Sequence, residues 1–126
     1  MKKPPKPTGI ARIIKAAGYS WDGIIHALRN ETAFRQEVIL AIILTPIASL
    51  LPIALYLKLL LISSFFLVLI VELINCSLEL AVDYISSKKH PTAKKIKDMG
   101  SAAVCLSLIF SGVLWVFALV ECLRLQ

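Results

Sequence analysis

The chain lacks most of the marks by which a soluble enzyme is read. It has no GxxxxGK(S/T) phosphate loop and no protein-kinase catalytic loop, which excludes the common soluble nucleotide-binding folds. No internal repeat or low-complexity tract interrupts it, so repeat architectures are excluded as well. Its three cysteines, Cys76, Cys105 and Cys122, are odd in number and form neither a CxxC pair nor a metal-ligand spacing. A disulfide framework is thereby excluded, and the cysteines are expected to be small core hydrophobes. No signal peptide is evident: the basic N-terminal residues lead into a long amphipathic stretch, not into an apolar run with a cleavage site. Charge is also scarce across three long tracts, roughly Val38–Leu57, Leu59–Leu80 and Ala102–Leu123.

What is present is apolar. Of 126 residues, 58% are hydrophobic, and the mean hydropathy is +0.80. A soluble domain of this size is much more polar. A bilayer core takes about 20 apolar residues per helix, so each tract is long enough to span one. The expected fold is an all-α membrane protein forming a single domain over residues 1–126. It comprises an amphipathic surface helix at about 8–29 and transmembrane helices at about 33–52, 56–85 and 98–123.

The net charge of +6 is unevenly spread. Lys2, Lys3, Lys6, Arg12, Lys15, Arg29 and Arg35 precede the first span, and Lys88, Lys89, Lys94, Lys95 and Lys97 lie between the second and third. Only Lys58 and Arg124 fall on the other side. The positive-inside rule then puts the N-terminus in the cytoplasm and the C-terminus outside. Lysines beside membrane spans are explained by topology and anionic lipid, so no nucleic-acid partner is expected.

Ile10, Ile13, Ile14, Ala17, Trp21, Ile24, Ile25 and Leu28 recur at helical spacing, with Arg12, Lys15, Asp22, His26 and Arg29 on other faces. That pattern predicts a helix lying in the membrane interface with Trp21 as anchor. Gly18 is expected to divide it. Asn30 or Thr32 is expected to cap the next helix, Pro46 to kink it and Pro52 to mark its outer end. Ser86–Lys97 reads as a basic connection, which leaves Asp98 near the favourable N-terminus of the third span.

The tract Leu59–Val71 (LLLISSFFLVLIV) runs into Glu72, Asn75, Glu79 and Asp83. The offsets of three, four and four put these groups on one side of a helix. Carboxylates at membrane depth are expensive and mark function by default; a buried helix–helix hydrogen-bonding role is the plainer alternative. Glu72 is deepest, and partial desolvation makes it a better proton acceptor than an exposed glutamate. Asn75 can hold a neighbour without adding charge. Glu79 lies nearer the aqueous interface, at a depth similar to Glu31, and magnesium favours a few carboxylates plus phosphate oxygens. Lys97 beside Asp98, with Lys88, Lys89 and His90, supplies the opposite charge, although loop lysines are more often simple topology determinants. The combination points to magnesium-assisted phosphoryl transfer to a lipid.

These residues carry a resemblance. Arg12–Gly23 (RIIKAAGYSWDG), Asn30–Glu37 (NETAFRQE), Leu61–Ser64 (LISS), Ile70–Asp83 (IVELINCSLELAVD) and Ala93–Val104 (AKKIKDMGSAAV) are similar to the small bacterial integral-membrane diacylglycerol kinases. The resemblance implies an ATP-dependent lipid kinase of the bacterial inner membrane that makes phosphatidic acid from diacylglycerol. It also implies a homotrimer with active sites between subunits. By the same likeness Glu72 is the general base and Asn75 positions the reacting groups. Glu31 and Glu79 bind the magnesium bridging the nucleotide phosphates. Arg12, Tyr19, Lys88, Lys89, His90, Lys97 and Asp98 line the nucleotide site. Ala17, Trp21, Ala33, Phe34, Arg35, Gln36, Glu37 and Ser101 lie along the lipid path. Lys88 and Lys89 stand where relatives often have an acidic–aromatic pair. Undecaprenol kinase is the alternative within kinases, and a small proton-coupled transporter with Glu72 as proton carrier is the alternative outside them.

Overall fold

The structure, a computed structural model, describes residues 1–126. Four helices follow one another: α1 (Ile10–Asn30), α2 (Thr32–Leu50), α3 (Leu55–Ile85) and α4 (Pro91–Arg124). The last three are each long and apolar enough to cross a membrane. At 1.5 Å per residue, α3 with its 31 residues is roughly 46 Å long, against about 30 Å for a hydrocarbon core. One end of α3 therefore projects beyond the bilayer.

α3 is the hub. It comes close to all three other helices, most extensively α4, whereas the backbones of α2 and α4 stay apart and α1 reaches only α2 and α3. Small polar residues let α3 and α4 approach closely, as membrane helices require. Ser64 Oγ and Ser111 Oγ share a buried hydrogen bond of 2.8 Å, and the rings of Phe65 and Trp115 stack with centroids 6.1 Å apart. Towards the α2–α3 turn, Ala48, Ile53, Leu57, Leu61 and Ala118 form an apolar core. Lys58 Nζ donates to Ser49 O at 2.8 Å, satisfying a carbonyl at the end of α2.

α1 keeps Ile10, Ile13, Ile14 and Trp21 exposed. An apolar stripe that packs on no other helix suits the bilayer interface. Gly18 does not divide α1, which runs unbroken; a lone glycine weakens a helix without ending it. The break comes at Glu31, the single extended residue between α1 and α2, with φ −106° and ψ 108°. Neither Asn30 nor Thr32 is the cap: Asn30 Nδ2 donates back to His26 O at 2.9 Å, and Glu31 takes the N-cap position with no side-chain bond. Arg35 secures the junction from the α2 side. Its guanidinium donates to Leu28 O at 3.0 Å and Arg29 O at 2.8 Å, using carbonyls that a helix end leaves orphaned.

Most of the expected basic connection is helix. Pro91 opens α4 at its first position, where a missing N–H is harmless. His90 Nδ1 accepts the Thr92 N–H at 3.1 Å. Asp98 consequently sits two turns inside α4 and not at its N-terminus. Of the cysteines only Cys76 is buried; Cys105 is exposed and Cys122 half-buried, and none is paired. The expectation of core cysteines thus holds for Cys76 and for Cys122, which packs against the apolar core, and not for Cys105 on the outer face of α4.

Candidate active site

The second half of α3 turns its polar ladder inward. Glu72 is 4% exposed and Asn75 8%, Glu79 is half-buried and Asp83 exposed. The Cys76 thiol, one turn on, donates to Glu72 Oε1 at 3.6 Å. The Glu72 carboxylate lies in the field of Glu79 and Glu31, and Glu37 on α2 interacts with it in turn. Carboxylates from α2, the α1–α2 break and α3 thus act on the nearly inaccessible Glu72. Mutual repulsion opposes that arrangement unless a cation or proton is shared.

No group of three or more His, Cys, Asp or Glu side chains is close enough to hold a metal ion by itself. Magnesium is usually held by one or two carboxylates together with substrate phosphates and water. Glu31 and Glu79 fit that donor set, as escorts of a phosphate-bound ion and not as an all-protein cage.

Asn75 Oδ1 is buried without a hydrogen-bond partner. It lies against Gly100 of α4, where a Cβ would collide with it. Gly100 is therefore a site residue by what it omits: only a hydrogen there lets Asn75 occupy the seam. The KDMGSA stretch contains it, but only the fold reveals what it touches.

Beyond the ladder, a cavity of about 690 Å³ opens at the α3–α4 connection, lined by Asp83, Lys88, Lys89, His90, Lys94, Lys97 and Asp98 among others. Two ion pairs organise it: Lys97 Nζ to Asp83 Oδ1 at 2.6 Å, joining α4 to α3, and Lys94 Nζ to Asp98 Oδ2 at 2.5 Å within α4. Asp83, the outermost rung of the ladder, has Lys97 as its partner. A second cavity of about 400 Å³ lies between α1 and α3, where Ser20, His26 and Glu31 face Cys76 and Ser77.

Other expected site residues do not meet these groups within one chain. Arg12, Ala17, Tyr19 and Trp21 are exposed on α1, which does not touch α4. Ser101 is exposed on α4, as are Ala33 and Gln36 on α2. Phe34 is buried and Glu37 half-buried, while Arg35 is engaged at the α1–α2 junction.

A family model described as prokaryotic diacylglycerol kinase matches residues 18–119. The chain is 47% identical over 108 residues to the diacylglycerol kinase of Escherichia coli (strain K12), an alignment covering 86% of this chain and 88% of that protein. It is 45% identical over 108 residues to the diacylglycerol kinase of Pseudomonas aeruginosa, with the same coverage of 86% and 88%. Against the diacylglycerol kinase of Helicobacter pylori (strain 26695) the identity is 48% over 112 residues, covering 89% and 88%.

Proposed function

We infer that this chain, which belongs to the prokaryotic diacylglycerol kinase family, phosphorylates diacylglycerol to phosphatidic acid with ATP at the polar end of α3. It is a lipid kinase and a multi-pass membrane protein. The observation that carries the placement is Glu72, a nearly inaccessible carboxylate in the field of other carboxylates, on the helix whose far end lines a lysine-bearing cavity.

Phosphoryl transfer needs positioning and charge neutralisation more than covalent chemistry from the protein. Glu72 Oε accepts the proton of the lipid hydroxyl as that oxygen bonds to the terminal phosphorus of ATP; the bond to ADP breaks in line. Cys76 holds one carboxylate oxygen by its S–H contact, leaving the other for the hydroxyl. Asn75 stands one turn further on and orients the reacting groups. Glu31 and Glu79 would hold a magnesium ion, which would supply charge neutralisation for the phosphates. Lys97, Lys88, Lys89 and His90, lining the larger cavity with Asp98, receive the polyphosphate. Arg12 and Tyr19 complete the nucleotide site, and Ala17, Trp21, Phe34, Glu37 and Ser101 border the lipid path.

A homotrimer fits the separation of these groups. Residues of α1 and the outer face of α4 that remain exposed in one chain would meet the site of a neighbour. The concentration of basic residues at one end favours a cytoplasmic active site in the bacterial inner membrane.

The test is a two-lipid assay: purified protein in detergent micelles, labelled ATP, and either diacylglycerol or undecaprenol. Label should enter phosphatidic acid at the higher rate. Faster labelling of undecaprenol would replace the substrate assignment. Replacing Glu79 by Gln should raise the magnesium concentration giving half-maximal rate by about tenfold, since one of few carboxylate ligands is lost; an unchanged magnesium curve removes Glu79 from the metal site.

A further inference from the structure

Between α2 and α4, whose backbones stay apart, a narrow cavity of about 200 Å³ runs over α3. Phe65 and Val68 floor it, and Glu37, Leu40, Ser111 and Trp115 stand in its walls. It is mostly apolar, yet two buried polar atoms on it have no hydrogen-bond partner within the chain: Glu37 Oε2 and Trp115 Nε1. The Ser111 hydroxyl is engaged with Ser64. The Trp115 ring is held by its stack on Phe65, so its N–H points where packing sets it. An indole N–H only donates, and a buried donor calls for an acceptor.

We propose that this cavity seats the ester-bearing part of the lipid substrate, with the Trp115 N–H donating to an ester carbonyl, so that Trp115 determines specificity for acylglycerols. The proposal rests on the diacylglycerol kinase reading. Diacylglycerol carries carbonyl acceptors next to its hydroxyl and is otherwise apolar, which matches an apolar slot with one orphan donor. The register agrees. Phe65, beneath Trp115, and Glu72 are seven residues apart on one face of α3, about 10 Å along the axis. A glycerol backbone with one ester, plus a hydrogen bond of about 2.9 Å at each end, covers that distance. Glu37, which interacts with Glu72, stands where the cavity meets the ladder. A polyprenol alcohol has no carbonyl and would leave the Trp115 donor unpaired, and sites built to hydrogen-bond a substrate group discriminate strongly against analogues lacking it.

The experiment compares dioctanoylglycerol with its dialkyl ether analogue in detergent micelles, using the full chain and Trp115→Phe, which keeps a ring to stack on Phe65. The unaltered protein should favour the ester by at least about tenfold in kcat/KM. Trp115→Phe should lose most of that preference, slow on the ester and unchanged on the ether. An equal ester-to-ether ratio in both proteins overturns the proposal, and so does an equal loss on both lipids, which marks a packing role. A change of oligomeric state in Trp115→Phe would assign the cavity to subunit contact and overturn it too. Failure of the unaltered protein to phosphorylate either lipid would strike the kinase reading instead. Should Trp115→Phe not fold, the Trp21→Phe protein leaves Trp115 as the sole indole, since the chain has two tryptophans. Ester lipid should then shift its emission and ether lipid should not; equal shifts overturn the proposal.

Discussion

The two halves of α3 are built to opposite rules. From Leu55 to Val71 every buried group has its complement: Leu61 is fully enclosed, Ser64 has Ser111 and Phe65 has Trp115. From Glu72 to Ile85 the helix buries Asn75 Oδ1 without a partner and sets Glu72 among like charges. One continuous helix thus carries a satisfied half that holds the bundle together and an unsatisfied half that has something left to bind. Among the polar atoms of α3 itself, the paired and the unpaired are separated along a single axis.

That separation can be broken at four points. The largest effect is expected at Glu72→Gln, which keeps shape but removes the base. Turnover should fall by about 10²–10⁴, some 2.7–5.4 kcal/mol, with thermal unfolding in detergent unchanged. A variant of equal activity would remove Glu72 from the mechanism. Leu61→Ala should do the reverse. It leaves a cavity in the satisfied half and should destabilise the chain by about 2–4 kcal/mol, while activity measured well below the melting temperature stays near normal. Gly100→Ala tests the seam, where the new methyl would displace Asn75. Turnover should fall by about ten- to a hundredfold, or 1.4–2.7 kcal/mol, with little change in melting temperature; a purely thermal effect would place Gly100 with the packing half. Ser64→Ala is the smallest, since hydrogen bonds between membrane helices average about 0.6 kcal/mol. It should lower the melting temperature slightly and leave the rate untouched.

The spans and the ladder were legible because both depend on period and composition. A thirteen-residue tract, apolar but for Ser63 and Ser64, followed by Glu72, Asn75, Glu79 and Asp83 at helical offsets defines a face whatever it packs against. Boundaries that rest on one residue's local chemistry were harder to read. Pro91 looks like a breaker but begins α4, moving Asp98 from a helix start to its interior. Glu31, by contrast, lies in the gap expected between residues 29 and 33, and is the one non-helical residue there. Residues whose role depends on a partner far along the chain were not legible at all. The crowding of Gly100 on Asn75 and the unpaired donor of Trp115 exist only once α4 lies on α3. Exposed Trp21 and Tyr19 are the converse case: their pattern is plain, yet within one chain they face nothing.

Glu31 is the only residue between α1 and α2 that is not helical, and Arg35 grips the end of α1 from the far side. The direction of the whole of α1, some 30 Å of rod at 1.5 Å per residue, is therefore set largely by one pair of backbone torsions. Leverage is steep in such a mechanism: a turn of a few degrees at Glu31 sweeps the far end of the rod through ångströms. The carboxylate rides on that same axle, so α1 cannot change its tilt on the membrane surface without also turning Glu31 relative to Glu72 and Glu79.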